Sequence, residues 1–484
     1  MNRASSIIVK GLMRFGPGML PFADAATEEL PMARLLRLSL FQVTVGMAAV
    51  LLIGTLNRVM IVELNVPSWI VATMLALPLL FAPFRALVGF RSDNHRSFLG
   101  WRRVPFIWLG TMLQFGGLAI MPFALLILSG DTTGPIFVGH IAAALAFLLV
   151  GAGLHTVQTI GLALATDLAP ARARPRVVAL LCAMLLLGMA VSALVFGALL
   201  ANFSQVRLIQ VVQGSAVVTM ALNCIALWKQ EARSSCPRPT QAAPAHFSDA
   251  WFTFADVGGT RRRLFATALG TAGFSMQDIL LEPYGGKILH LPVGATTALT
   301  ATLAVGGGAG LMLAARWLTR GADAHRVAAI GAVVGVLAFA AVILAAPMDS
   351  SVLFAVGVML IGAGAGMFAH GTLTASMGLA KPEDRGLALG AWGAAQATAA
   401  GIAIALSGAI NDLGSQLAET GALGETLVNP ATGYSIVYGI EIVLLFATVV
   451  AIGPLVRSSS APATTAPKGF DILPTGNLSS GGIR

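Results

Sequence analysis

Asp278 and Glu282 stand one helical turn apart in the stretch FSMQDILLEPYGG, within a run from Leu264 to Leu289 apolar enough to span a bilayer. An acid at the centre of a membrane helix costs about 2.5–3.5 kcal/mol or more unless it is paired or faces a polar cavity, so this segment reads as a functional site. Two uses fit a pair of buried carboxylates: a proton or ligand relay, or an ion-pair network that ties helices together. The network is the reading adopted. Other polar groups sit in apolar runs of their own: Gln277 beside Asp278, His155 and Gln158 in one run, His370 in another, and Arg58 near the end of the first. Arg85 and Glu441, the remaining intramembrane charges, receive no role. Catalytic constellations are missing. The sequence has no HExxH, nucleophile elbow, P-loop or cysteine-histidine cluster, so no enzyme is expected. Gly306 to Gly308 and Gly310 look like a nucleotide loop but follow no strand. Cys182, Cys224 and Cys236 have neither disulfide-framework nor zinc spacing.

The elements that must position these groups are membrane helices. The chain is 56% hydrophobic and only 11% charged, with a mean hydropathy of +0.83, far from a soluble domain. Continuous apolar runs exclude alternating barrel strands and give twelve spans of about 20 residues: 38–61, 67–89, 104–129, 136–162, 177–201, 207–228, 264–288, 294–317, 327–346, 351–378, 386–409 and 432–456. The expected fold is an all-α polytopic bundle. Arginine and lysine concentrate in alternate loops and in both tails, while the intervening loops carry Glu63, Asp131, Asp349, Asp412, Glu419 and Glu425. The positive-inside rule then places both termini in the cytoplasm. Basic residues confined to short loops also argue against nucleic acid as a partner. The first residues lack a small-residue cleavage site and read as an interfacial helix, as do Phe247, Trp251 and Phe254 in the central loop. The organisation is a cytoplasmic segment 1–37, a six-helix half 38–228, a central loop 229–263, a second half 264–456 and a flexible tail 457–484.

The two halves repeat. LNRVMIVELNVP from Leu56 matches LEPYGGKILHLP from Leu281 in its leucine-to-proline spacing. Asp93 to Arg96 matches Asp323 to Arg326, and Gly151-Ala152-Gly153 matches Gly362-Ala363-Gly364. Two pseudo-symmetric six-helix halves are the architecture of the major facilitator superfamily. Gly89, Asp93 and Arg96 resemble that superfamily's loop motif after the second span, although Asn94 stands where a base is usual; they form a candidate cytoplasmic latch. Within the repeat Arg58 lies at the depth of Glu282, which makes it the expected partner of Asp278 and Glu282. Gly393, Ala397 and Gly401 give the eleventh span a small-residue face suited to close packing.

Longer strings carry a closer resemblance. LPFADAATEELPMARLLRLSLFQVTVGMAAVLLIGTLNRVMIVEL from Leu20, PFRALVGFRSD from Pro83, FSMQDILLEPYGGKILHLPVGATTALTA from Phe274 and LALGAWGAAQATAAG from Leu387 resemble the PucC/LhaA family. That resemblance implies an assembly factor for bacterial light-harvesting antennae in the inner, intracytoplasmic photosynthetic membrane, nearer the branch serving the core antenna than the peripheral one. It implies bacteriochlorophyll, bound or carried, as cofactor or cargo. Implied partners are antenna subunits and the reaction-centre core complex, with pigment-synthesis enzymes or insertion machinery alongside. Bacteriochlorophyll magnesium needs one axial donor, usually a neutral imidazole. His155 and His370, on the fourth and tenth spans, are the candidate axial ligands, with Gln158 and Gln277 as further pigment-binding candidates. The competing reading is a secondary transporter of a small amphiphilic molecule.

Overall fold

The computed structural model describes residues 30–80, 92, 101–130, 134–170, 173–231, 259–379 and 385–459. Among the described residues twelve long or apolar helices follow in succession: α1 (Met32–Glu63), α2 (Ser68–Leu80), α3 (Val104–Leu128), α4 (Ile136–Leu168), α5 (Arg174–Leu199), α6 (Gln205–Leu227), α7 (Thr260–Lys287), α8 (Val293–Thr319), α9 (Ala324–Ala345), α10 (Ser351–Leu379), α11 (Arg385–Glu419) and α12 (Thr432–Ser459). Among the described residues, eleven are long and apolar enough to cross a membrane, and α2 adds a shorter apolar helix. The protein is a multi-pass membrane protein with the expected all-α fold. Several helices outrun their apolar windows. α1 starts at Met32 rather than 38, α4 runs to Leu168 rather than 162, and α11 to Glu419 rather than 409. Hydropathy marks only the part of a helix that sits in hydrocarbon, whereas backbone hydrogen bonding continues into polar turns beyond it.

Local chemistry sets the helix ends. Asp323 caps α9 by accepting from the Arg326 amide at 2.9 Å, and Ser204 caps α6 through the Arg207 amide at 3.2 Å. Proline opens α3 and α5 in the first turn, where its missing N–H is harmless. The sequence repeat is a structural one. Asn65 and His290, each two residues before a proline, share a left-handed backbone at φ 50° and 52°. Gly153 of α4 packs on Gly110 and Gln114 of α3, as Gly364 of α10 packs on Gly331 and Gly335 of α9. Equivalent helices thus meet through equivalent glycines.

Contacts fix the faces of the bundle. Arg34 at the start of α1 bonds Gln230 after α6, with Nε to Oε1 at 3.1 Å, and Arg262 at the start of α7 donates to the Ala451 carbonyl near the end of α12 at 2.8 Å. These ends define a terminal face. The opposite, distal face holds the α1–α2 and α7–α8 turns. The halves join along α2 with α11 and α5 with α8, and where α1 meets α7 and α8. At the α5–α8 seam the backbones of Gly197 and Gly294 almost touch.

A side chain at Gly294 would bring its Cβ within 2.5 Å of the Gly197 carbonyl and 3.0 Å of the Ala201 backbone. Gly294→Val is therefore expected to destabilise the fold by about 1–3 kcal/mol through overpacking. Gly116, which faces open space, serves as the control: Gly116→Val should leave thermal unfolding of the detergent-solubilised protein unchanged.

Candidate functional site

The acids stand where α7 loses its regular form. Its α-helical turns end at Ser275, a 3₁₀ turn covers Met276–Ile279, and a short helix resumes at Leu281. α1 is irregular opposite it, with wide π-helical turns over Val50–Leu56 and Val59–Glu63; such turns frequently mark functional positions. Asn57, between the two π segments, donates Nδ2 to the Ile279 carbonyl at 2.8 Å and to its own Ile53 carbonyl at 2.9 Å. One asparagine thus satisfies a carbonyl freed by the break in the other half.

Glu282 is 4% exposed. Its Oε1 accepts from Thr300 Oγ1 of α8 at 2.5 Å, and Gly54 leaves room for the carboxyl against α1. Arg58 does not hydrogen-bond to it. Contrary to the pairing expected from the repeat, Arg58 Nη1 donates to Glu63 at 2.6 Å and Nη2 to the Leu291 carbonyl at 3.1 Å. The widened turns of α1 bring Glu63, five residues on, to the guanidinium, and Gly286 lets the guanidinium lie against α7. Asp278 is held by Gln277, whose Nε2 donates to Oδ1 at 2.5 Å. Gln277 also offers its backbone amide to Glu441 of α12 at 2.6 Å. Gln277 therefore belongs to the acid cluster rather than to the histidines. Glu441, fully buried, is a member the sequence reading left unassigned; the rule that exposed Asp278 and Glu282, an acid inside an apolar run, applied equally to it.

Nearby bonds extend this layer. Thr55 and Thr297 hydroxyls lie 3.4 Å apart, Asp412 Oδ2 accepts from the Trp69 amide at 2.9 Å, and Asn411 Nδ2 reaches Ser68 Oγ at 3.3 Å. The bonds that Thr55, Asn57, Arg58, Trp69 and Asn411 make across the halves all lie in the distal part. Beside it a polar cavity of about 360 Å³ is lined by Lys287, Asn411, Asp412 and Glu419.

The histidines occupy the other part. At 1.5 Å per residue, His155 lies about 20 Å from the terminal-face end of α4 and His370 about 14 Å from that of α10. Both are half-buried, as is Gln158. No hydrogen bond to the His370 ring occurs among the described residues; its backbone carbonyl accepts from Thr374. On α11, Trp392 Nε1 donates to Thr372 of α10 at 3.2 Å, and Gly393 faces open space.

Gly89, Asp93 and Arg96 lie outside the described residues, as do the interfacial stretches near Ile7 and Trp251. Ser92 is described, and accepts from Arg103 Nη1 at 2.8 Å. Arg102 and Arg103 pair with Asp167 at the end of α4. Glu231 accepts from the amides of Arg102, Arg103 and Val104, capping α3. These contacts tie the start of α3 to the end of α4 and to Glu231 at the start of the central loop.

Residues 55–460 match the family described as PUCC protein. The chain belongs to the PucC family. It is 55% identical over 424 residues to Protein PucC of Rhodovulum sulfidophilum, covering 85% of this chain and 92% of that one. It is 54% identical over 443 residues to an uncharacterized protein in the puhA-bchM intergenic region of Rhodobacter capsulatus, covering 91% and 93%. A bacterial homolog of the human lysosomal transporter Spinster, inward-facing and unoccupied, superposes with a TM-score of 0.66 at 14% identity, covering 89% of this chain and 98% of its own. The PucC chain thus has the major facilitator fold.

The Arg58 pairing predicts unequal losses. Arg58→Ala removes a buried donor from Leu291 and should lower stability by about 1–3 kcal/mol. Glu63→Ala should cost less, because its side chain is 37% exposed. Reversal of the pair by Arg58→Glu with Glu63→Arg should recover part of the loss in thermal unfolding; equal losses and no recovery would contradict the pairing.

Proposed function

We propose that this protein is an assembly factor for the core light-harvesting antenna, acting in the intracytoplasmic photosynthetic membrane with both termini and the terminal face in the cytoplasm. The family match over residues 55–460 carries the proposal; PucC-family proteins are involved in light-harvesting complex assembly in purple bacteria. Orientation is supported by charge: Arg34, Arg102, Arg103, Arg261, Arg262, Arg320 and Arg326 cluster at the terminal face, and Glu63, Asp349, Asp412 and Glu425 at the distal one. Partners in this reading are the antenna subunits and the reaction-centre core complex. The role is non-catalytic handling of cargo.

Bacteriochlorophyll is the cargo proposed. Its magnesium takes one axial donor, and His370 supplies a half-buried imidazole without a hydrogen-bond partner among the described residues. His155 stands at similar depth in the other half. Gln158 is one turn from His155 and fits a hydrogen bond to a pigment carbonyl. The distal bonds of Arg58 with Glu63 and Leu291, of Glu282 with Thr300 and of Asp278 with Gln277 close the distal part in this scheme and do not touch the pigment.

A clean deletion is expected to lower the core antenna while peripheral antenna and pigment synthesis persist; normal core antenna would overturn the assignment. His370→Phe keeps apolar bulk and removes the donor. It should reduce bacteriochlorophyll recovered with the gently solubilised protein, and the double variant with His155→Phe should reduce it further. Unchanged pigment and absorption in the folded double variant would exclude both histidines as ligands.

A further inference from the structure

Three polar groups beside the α7 break take no part in joining the halves. Among the described residues, Glu441 Oε2, Gln277 Oε1 and the Tyr438 hydroxyl have no hydrogen-bond partner, and their residues are 0%, 3% and 0% exposed. Unpaired groups so deep are expensive, and three around one cluster call for a shared occupant. Gln277 bridges the acids: its backbone N–H is on Glu441 Oε1 and its side-chain Nε2 on Asp278 Oδ1. The two carboxyls differ in access. Glu441 is sealed, whereas Asp278 is only half-buried and sits in a segment packed against α1 and α2 of the other half.

Among the described residues no cation pairs with Glu441 or Asp278. On α7 the neighbouring titratable groups are Glu282 and Tyr284, and on α12 they are Tyr434 and Tyr438. α1 brings Arg58 and Glu63, but Arg58 is committed to Glu63 and the Leu291 carbonyl. The stretch 391–411 of α11 and all of α2 carry no titratable residue. His325 and Arg326 of α9 stand at the terminal face, and His370 of α10 lies in the inner part of the bundle. An ionised Glu441 would be a buried charge without a counter-ion. A neutral Glu441 instead turns Oε2–H into a donor, and Gln277 Oε1 and the Tyr438 oxygen are acceptors of the kind it lacks.

We propose that Glu441, Gln277 and Asp278 form an exchangeable proton-binding site, loaded from between the halves by way of Asp278. On release the Glu441 O–H bond breaks and its electron pair stays on the carboxylate. The proton passes to water reaching Asp278, and uptake is the reverse. Gln277 holds both carboxyls at fixed positions throughout. The site is independent of the pigment reading, since it shares no residue with His155, His370 or Gln158.

Infrared spectroscopy of the full chain in nanodiscs, labelled with ¹³C-carboxyl glutamate, tests it. At neutral pH a protonated-acid C=O band should appear, sensitive to the label, downshifted in D₂O, kept in Glu282→Gln and lost in Glu441→Gln. Raising the pH should release one proton more from the wild type than from the Glu441→Gln protein. Asp278→Asn should slow deuteration of the band without removing it. Should Glu441→Gln fail to fold, Glu441→Asp keeps an acid but takes it out of the labelled set, so the label-sensitive band must vanish there. Absence of the band in folded wild type, a band that never deuterates, or its removal by sodium at constant pH would each overturn the proposal, the last two in favour of a sealed structural acid and a sodium site.

Discussion

Hydrocarbon offers no hydrogen-bond partner, so a membrane helix that breaks must find one in a neighbouring helix. In this PucC-family protein α7 breaks over Met276–Ile279, and the Ile279 carbonyl is met by the Asn57 amide of α1, 2.8 Å away across the interface between halves. Much of the distal layer follows from that contact. It fixes the register of α1 against α7, which sets Gly54 beside the Glu282 carboxyl and leads the Arg58 guanidinium to the Leu291 carbonyl. The wide turns of α1 let Asn57 face the break while Arg58 still reaches Glu63.

The result is a division of labour along the membrane normal. Buried acids, amides and hydroxyls join the halves in the distal part, and the histidines lie toward the terminal face, where the described ion pairs stay inside one half. The same separation explains why a fold shared with transporters at 14% identity does not by itself dictate transport: helix packing and the cleft chemistry are set by different residues.

The sequence disclosed the architecture well because bilayers impose it through composition. Within the described residues the apolar runs have helical counterparts, and two matches of the repeat recur in the structure, down to the paired left-handed residues Asn65 and His290. Helix ends were less legible, since polar turns such as those of α11 beyond Asn411 have no hydropathy signal. The ion pair was misread because an α-helical spacing was assumed for α1: in a regular helix Arg58 and Glu63 point apart, and only π-helical turns bring them together. Nothing in the residues of α1 announces those turns. Glu441 escaped for a related reason. Its place in an apolar run was visible, but its partner is the Gln277 backbone N–H freed at Met276–Ile279, so the cluster it joins was not.

The glycine seams carry a mechanical implication. Gly310 of α8 lies on Ala363 of α10, Gly364 on Gly331, and Gly153 on Gly110, so within each half the main chains interlock with no slack for sliding. Each half therefore behaves as a stiff lever whose fulcrum is the distal layer. Asp278 stands 18 residues into α7 from Thr260, an arm of about 27 Å. A roll of about 10° at the fulcrum displaces the far ends by about 5 Å, roughly one helical turn. Small changes in a handful of distal bonds are geared, by arm length alone, into large changes of aperture at the terminal face.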